Sequence, residues 1–396
     1  MDNITHALAG VSLAELALRR RASPSTRRVF MVVGIVAASA PDLDLLYTGI
    51  IEAPLGYLLH HRGHSHTLPG LVVLGVLIAA AIRFWPAVRP ATIGETGRLA
   101  WVVAAGLISH LLLDAANSYG TLLLYPFSTR WYYGDAVFIL EPTLWIVLGV
   151  TVALNAQHRW SRGLVWGLTL VPCLALAAVN LITWTQLTLI LAGCGALVAW
   201  LRSRTARARA LTGVGATIAM VLALMATSQL ARAEVRGQLQ AAEAGTIVDI
   251  VLNPEPAAPW CWSVTSIEHH DNGRDLRVRR GTLSLAPVLR PIETCTSYRL
   301  LAGPTEAGET PATRALAWNR EWRVDLDEIR ALDAGNCRAA AWLRFARVPF
   351  IDNGRLVDLR FDNPLRVNFS AMQIAGVGCP SNVPSWTPPR ADLLGP

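Results

Sequence analysis

Apolar stretches of membrane length recur through residues 1–231 and are absent from residues 232–396, which are rich in Arg, Asp, Glu, Pro and Trp. A helix needs about 20 mainly apolar residues to cross a bilayer. On this pattern the sequence predicts eight helical segments, at about 4–18, 29–47, 68–85, 99–116, 137–154, 163–180, 185–201 and 211–231. The first segment is short, so we expect a half-span packed against its neighbours.

The hydrophobic pattern after residue 231 favours β-strands. Strand-like runs flank two Asp-Asn-Gly turns, at 260–270 and 274–286 and near 340–351 and 355–361. Asn-Gly turns between such runs are strong hairpin signals. A short helix is expected near 325–333, beginning at Asp325. The predicted fold class is therefore mainly α, with a polytopic helical membrane domain of about 7–8 helices over residues 1–231 and a β-rich domain over residues 232–396.

Charge supports a membrane protein and gives its orientation. Charged residues make up 16% of the chain and hydrophobic residues 53%, whereas soluble proteins average about 25% charged. Arginines concentrate in alternate connections: Arg19, Arg20, Arg21, Arg27 and Arg28; Arg83, Arg89 and Arg98; Arg159 and Arg162; Arg202, Arg204, Arg207 and Arg209. Because basic loops stay in the cytoplasm, the N-terminus, loops 48–67 and 117–136, and the β-rich domain are predicted to be extracytoplasmic.

The net charge of +7 is explained by arginines in the predicted cytoplasmic loops, so no nucleic-acid partner is expected. We also expect no cleavable secretion signal, because the N-terminal arginines follow the apolar run rather than precede it.

The cysteines agree with this orientation. Cys173 and Cys194 lie in apolar segments, where a thiol is an ordinary packing group. The β-rich domain contains four more: Cys261, Cys295, Cys337 and Cys379. In an oxidising compartment they are expected to form two structural disulfides, and the sequence leaves three pairings open.

Ionisable residues recur at the predicted outer ends of the apolar segments. They include His6, Asp42, Asp44, His110, Asp114, Asp135, Glu141 and a run from His60 to His66 that contains four of the nine histidines. Charged groups at membrane depth are costly and mark functional sites by default. Their common depth favours one shared site.

Individual spacings suit metal binding. His110 and Asp114 are four residues apart and project from one helical face. Asp42 and Asp44 follow Pro41, where the helix is expected to unwind, and Gly63 lets the histidine run turn sharply. With no cysteine among these residues, nitrogen and oxygen donors suit zinc or another divalent transition metal.

Each residue alone also has a simpler explanation. His6 is compatible with ordinary packing, and an aspartate in segment 42–44 with capping the next turn. Asp114 is compatible with an ion pair to Arg130, and Glu141 with a hydrogen bond across helices. Considered together, these residues favour a metal site.

Four ordered motifs in residues 1–150 give a family resemblance: Asn-Ile-Thr-His-Ala-Leu-Ala-Gly, Ala-Pro-Asp-Leu-Asp, His-Arg-Gly-x-Ser-His-Thr and Ser-His-Leu-Leu-Leu-Asp. They resemble the bacterial inner-membrane family of membrane-bound metal-dependent hydrolases, which is regarded as distantly related to zinc-dependent phospholipase C and P1-type nucleases. The resemblance is weaker in the C-terminal domain, over Trp-Arg-Val-Asp-Leu-Asp-Glu-Ile and Phe-Ala-Arg-Val-Pro-Phe-Ile-Asp-Asn-Gly.

The resemblance implies a set of metal ligands: His6, Asp42, Asp44, His61, His66, His110 and Asp114. Second choices as ligands are His60, His64 and Glu141. The implied cofactor is a divalent metal, Zn²⁺ before others, with one to three ions left open. The implied location is the bacterial inner membrane, crossed several times.

The leading hypothesis is an integral membrane hydrolase that cleaves a phosphoester of a lipid or lipid-linked substrate, using metal-activated water at the extracytoplasmic face. Asp42 or Asp44 would act as general base or bridging ligand. Arg62, Arg130 and Tyr132 would contact an anionic head group. Membrane lipids are the expected partners.

Two other hypotheses remain open. An ion or solute transporter would use the buried histidines and aspartates as a pathway. A non-enzymatic membrane scaffold would use the metal for structure and the β-rich domain for docking.

Overall fold

The computed structural model describes residues 1–86, 88, 92–242, 245–270, 273–301, 313–361, 368–376, 378–384 and 391–394. The fold comprises two compact units that interleave along the chain. The first contains residues 1–43, 64–123 and 131–225, and the second contains residues 44–63, 124–130 and 226–396. The contiguous domains predicted at 1–231 and 232–396 stay a prediction.

Every apolar segment predicted from the sequence contains a helix. These are α1 (Asn3–Ala17), α2 (Pro24–Ser39), α4 (Leu68–Phe84), α5 (Thr96–Ala115), α6 (Pro142–Asn155), α7 (Arg159–Ala178), α8 (Trp184–Leu201) and α9 (Ala206–Ala241). The short helix α3 (Leu55–His60) precedes the second half of the histidine run. The mainly α fold class is thereby confirmed.

Length and composition allow five spans among the described residues: Pro24–Ile50, α5, α7, α8 and α9. A sixth results if the broken pair Leu55–His66 and Leu68–Phe84 counts as one span. Helix α1 has 15 residues and α6 has 14, so both are shorter than a full span. Exposed apolar side chains such as Val72, Val76 and Leu222 suit a lipid environment.

Local capping explains several helix boundaries. Ser23 accepts a hydrogen bond from the backbone N–H of Thr26 at 3.1 Å, so α2 begins at Pro24, earlier than the apolar pattern indicates. Thr183 and Gln186 form a capping box at the start of α8. The α-helical part of α2 ends at Ser39, and a 3₁₀ helix follows over Ala40–Ile50.

Close backbone contacts pack α1, α2 and α5 together. A Cβ atom placed on Gly10 of α1 would lie 2.2 Å from the carbonyl oxygen of Gly34 on α2. A Cβ atom on Gly106 of α5 would lie 2.9 Å from Cβ of Ala37. Such close approach of small residues is how helices associate where no hydrophobic driving force exists. Buried side chains including Phe30 complete the core between these helices.

The second unit contains two antiparallel sheets. Strands β1 (Ile247–Glu255), β2 (Ala258–His270), β3 (Asp275–Ser284) and β4 (Leu316–Asp325) form the first, in that order. Strands β5 (Pro349–Asp352), β6 (Arg355–Asp358) and β7 (Met372–Gln373) form the second. Short helices complete the unit: α10 (Thr296–Leu301), α11 (Leu326–Gly335), α12 (Cys337–Leu343) and α13 (Ala391–Leu394).

The predicted hairpins and short helix of this unit are confirmed, but parts of the runs at 340–351 and 355–361 are helical: α12 covers Cys337–Leu343 and a 3₁₀ helix covers Leu359–Phe361. Strands β2–β3 and β5–β6 form the two predicted hairpins, although Asp271 and Asn272 lie outside the described residues. Asp325 caps α11 as expected. The strand predicted over 340–351 is wrong in its first part, because Asn336 caps a helix at Cys337–Leu343 and β5 begins only at Pro349.

Two disulfides join the four cysteines of this unit. Cys261 pairs with Cys295, and Cys337 pairs with Cys379. Two disulfides were expected, and the structure selects one of the three possible pairings. Cys173 and Cys194 are free and buried, as expected of packing residues.

Residues 44–63, which contain the first half of the histidine run, pack within the second unit. Glu52 forms an ion pair with Arg338 of α12. Tyr57 packs edge-on against Phe369, with ring centroids 5.8 Å apart. Residues 44–63 therefore fold with the C-terminal part of the chain, although they lie in sequence between Asp42 and His66.

Candidate metal centre

Helix α5 supplies two side chains of the site. His110 and Asp114 lie one turn apart on one face of the helix, and both are fully buried. Nδ1 of His110 lies 2.6 Å from the carbonyl oxygen of Ala38 at the end of α2. A carbonyl can only accept, so Nδ1 carries the hydrogen and Nε2 faces the site with its lone pair when the ring is neutral. Such fixing of the tautomer is typical of metal-binding histidines.

Two further side chains come from the connections on either side of residues 44–63. Asp42 follows Pro41 in the 3₁₀ helix after α2. His66 ends a short 3₁₀ turn, His64–His66, that leads into α4. Oγ of Ser65 lies 2.9 Å from Nδ1 of His66, which orients this ring as well.

The four side chains converge through one atom each, and no pair of these atoms is more than 4.8 Å apart. Nε2 of His66 and Nε2 of His110 are 3.1 Å apart. Oδ2 of Asp114 lies 3.2 Å from Nε2 of His66 and 3.4 Å from Nε2 of His110. Oδ1 of Asp42 lies 3.4 Å and 3.5 Å from the same two nitrogens.

These distances fit a tetrahedral divalent ion. Zinc–nitrogen and zinc–oxygen bonds of about 2.0–2.2 Å place tetrahedral ligand atoms about 3.3–3.6 Å apart. The five distances above lie within a few tenths of an ångström of this range. The donors are all nitrogen or oxygen, which suits zinc and other divalent transition metals.

The charge of the cluster also favours a bound cation. Two carboxylates and two imidazole nitrogens meet where His66, His110 and Asp114 are 0% exposed. Burying two carboxylates is unfavourable unless positive charge offsets both, and within the described residues the α-amino group of Met1 contacts Asp114 alone of the two. A divalent cation would satisfy all four groups at once.

His6 flanks this four-residue group. Its ring stacks on His110 with centroids 3.8 Å apart, and its Nε2 lies 3.3 Å from Oδ1 of Asp114. The α-amino group of Met1 also contacts that oxygen. Asp114 thus presents Oδ2 to His66 and His110, and Oδ1 to His6. His6 is fully buried, yet within the described part of the chain its ring nitrogens make no hydrogen bond of acceptable geometry.

Asp44 and His61 form a pair within the second unit. Oδ1 of Asp44 lies 3.0 Å from Nδ1 of His61, and Oδ2 accepts the backbone N–H of Arg62 at 2.9 Å. Both side chains are buried, and the His61 ring stacks on Tyr57 with centroids 5.0 Å apart. A carboxylate bound to Nδ1 fixes the orientation of the imidazole, so Asp44 has the geometry of a positioning group.

The second-choice ligands lie outside the four-residue group. His60 is buried and meets Tyr47 edge-on, at 5.8 Å between centroids. His64 is exposed, and its carbonyl accepts from Oγ1 of Thr67. Glu141 caps α6 by accepting from the backbone and hydroxyl of Thr143.

The residues predicted to bind a head group differ in their surroundings. Arg62 is 2% exposed and has a positive φ of 60°. Arg130 is exposed. Tyr132 is partly buried, and its backbone pairs with Thr121 in an isolated bridge. A role for any of them in substrate binding stays a prediction.

Sequence reasoning missed the residues that support the site. Asp2 caps α1 and accepts from the indole N–H of Trp145 on α6 at 3.1 Å, which anchors the turn that bears His6. An aspartate directly before an apolar helical run is an N-cap signal that could have found it. His110 contacts the backbone oxygen of Ala38, so the identity of residue 38 does not reveal this contact.

The fold and the site define a helical membrane protein with a buried His/Asp cluster within metal-binding distance. Residues 1–187 match the family described as YdjM inner membrane protein. Part of the chain is also similar to the "Uncharacterized protein YfhP" of Bacillus subtilis (strain 168), with 25% identity over 150 residues. That match covers 37% of this chain and 43% of the relative, so the chain spans less than half of the relative's length. No solved structure matches the chain.

Proposed function

We propose that this protein is an integral membrane hydrolase that depends on a divalent metal, zinc before others, and cleaves a phosphoester in a lipid or lipid-linked substrate. The observation that carries the proposal is the convergence of Asp42, His66, His110 and Asp114 on one buried point. Their position at one end of apolar helices supports a substrate that lies in the membrane surface.

A divalent ion held there would polarise a phosphoryl oxygen and acidify water. The side chains themselves differ in access to solvent. The side chain of Asp42 is 9% exposed, whereas those of His66, His110 and Asp114 are at most 1% exposed. Substrate and water would therefore approach from the Asp42 side. Asp42 is the best-placed of the four to accept a proton.

The sequence predicts Asp44 as a metal ligand or general base, but in this proposal it positions another side chain. Both of its carboxylate oxygens are engaged, by His61 and by the backbone of Arg62. It acts as a positioning residue for His61. Phosphoester chemistry itself rests on the resemblance to metal-dependent hydrolases, and an extracytoplasmic active site rests on the distribution of arginines.

One observation favours a structural metal as a second candidate function. Four protein donors complete a tetrahedral shell, whereas catalytic zinc sites usually have three protein ligands and an open position. The partial exposure of Asp42 favours catalysis, because a carboxylate at the open side of the shell can exchange for water.

Hydrolysis of a phospholipid panel by metal-loaded protein in mixed micelles tests the proposal. We expect turnover of at least one phosphoester, and Asp42→Asn should reduce the rate by about 100-fold or more, because it removes a metal donor that is also the candidate general base. His158→Ala, which changes an exposed histidine outside the cluster, should retain full activity. Stoichiometric metal without hydrolysis of any panel member would refute the enzyme and support a structural metal.

A further inference from the structure

A basic crevice lies in the first unit, apart from the metal centre. Its volume is about 620 Å³. It is lined by the end of α1 and the residues that follow, and by the first turns of α5 and α9: Leu16, Ala17, Leu18, Arg19, Arg20, Arg98, Trp101, Arg207 and Leu211. None of these belongs to the metal centre, and three of the arginine-rich connections contribute to it.

The crevice has an excess of positive charge. It contains four arginines, and nearby Glu95 pairs with two of them, at 2.9 Å from Arg19 and 3.6 Å from Arg98. Within the described part of the chain, Arg20 and Arg207 have no ion-pair partner, and both are exposed. Two guanidinium groups therefore remain available to an anion.

The remaining lining is apolar and aromatic. Leu211 is 63% exposed and Trp101 is 46% exposed, beside the charged rim. Tryptophan is enriched where helices meet the membrane–water interface. A site that combines guanidinium groups with exposed apolar side chains complements an amphipathic anion better than a small soluble one.

We propose that this crevice binds one anionic phospholipid from the leaflet at the basic ends of the helices. Arg20 and Arg207 would contact the phosphate, and the acyl chains would lie along Trp101 and Leu211. Basic pockets between membrane helices on the cytoplasmic side are known to accept anionic head groups. This inference is independent of the proposed hydrolase activity, because it uses none of the metal-centre residues.

Native mass spectrometry of the full-length protein tests this inference. The protein is released from nanodiscs that contain either phosphatidylglycerol or phosphatidylcholine. Wild-type protein should retain one phosphatidylglycerol and little phosphatidylcholine. The double variant Arg20→Gln/Arg207→Gln should bind phosphatidylglycerol about 25-fold more weakly, since each arginine near an anionic surface contributes about fivefold. Arg28→Gln, an exposed arginine outside the crevice, should bind as wild type does.

A second variant separates a lipid site from a simple anion site. Leu211→Gln should weaken phosphatidylglycerol retention while Arg20 and Arg207 are intact. Equal retention of both lipids, unchanged retention in the double variant, or displacement of the lipid by millimolar inorganic phosphate would each overturn the proposal. Helix content by circular dichroism establishes that each variant is folded.

Discussion

Wild-type protein is expected to purify with stoichiometric metal, and His66→Ala protein is expected to lose it. Nε2 of His66 lies within 3.4 Å of donor atoms on Asp42, His110 and Asp114, so its removal takes away one of four converging donors. Loss of a supporting residue alone typically costs 10–100-fold in metal affinity, so we expect a loss of about 100-fold or more here. Elemental analysis of protein dialysed against a defined zinc buffer measures it.

Asp114→Asn provides the isosteric version of the same experiment. It preserves volume and removes the charge that faces both His6 and the His66–His110 pair. Metal should again be lost while the helix content is unchanged.

Two histidine variants serve as matched controls. His64→Ala changes a residue of the same run that is exposed and lies outside the four-residue group, and His158→Ala changes an exposed histidine at the start of α7. Both should retain metal at the wild-type ratio. A wild-type protein that never binds metal in stoichiometric amount, or a His64→Ala protein as depleted as His66→Ala, would contradict the assignment.

Segment-level structure was predictable because hydrophobic periodicity is a local property. The apolar runs near residues 99–116 and 185–201 became helices at Thr96–Ala115 and Trp184–Leu201. The strand predicted over 340–351 was wrong in its first part for a local reason as well. Asn336 accepts from the backbone N–H groups of Arg338 and Ala339 and nucleates a helix in a sequence that otherwise looks strand-like.

The four residues of the candidate metal centre were all among the predicted ligands, but the sequence did not indicate which predicted ligands would come together. His61 and His66 were the two first-choice ligands predicted from the run at 60–66. Within the described residues, His66 is the one found in the four-residue group with Asp42, His110 and Asp114. The run divides because residues 44–63 fold with the C-terminal part of the chain, and His64 onward folds with the helices. Which side of Gly63 a histidine belongs to depends on long-range packing, which residue spacing does not encode.

The supporting contacts were the least predictable part of the site. His110 is oriented by a backbone carbonyl of α2, which any residue in place of Ala38 would also supply. This end of α2 requires small side chains, because α2 approaches both α1 and α5 closely. The geometry of the site therefore depends on glycine contacts that look like ordinary membrane-helix composition.

Gly10→Val tests this dependence directly. The added Cβ would lie 2.2 Å from the carbonyl oxygen of Gly34 and 2.8 Å from Cβ of Ala38, so α1 and α2 must separate. Backbone atoms cannot move aside as a flexible side chain can, and we expect a loss of about 3 kcal/mol or more in the free energy of unfolding. Intrinsic tryptophan fluorescence on heating should show a clearly lower midpoint.

The same variant should weaken metal binding without altering any ligand. Ala38 bears the carbonyl that fixes His110, and His6 lies one turn from Gly10 on α1, so separation of the helices displaces both. We expect about tenfold or greater loss of zinc affinity. Gly167→Val is the matched control, because it puts the same side chain on α7 where no atom lies within 4 Å of the added Cβ. If both variants bind zinc and unfold alike, close packing of α1 on α2 does not set the geometry of the site. The four donors are then held in place by α5 and by the connections that bear Asp42 and His66.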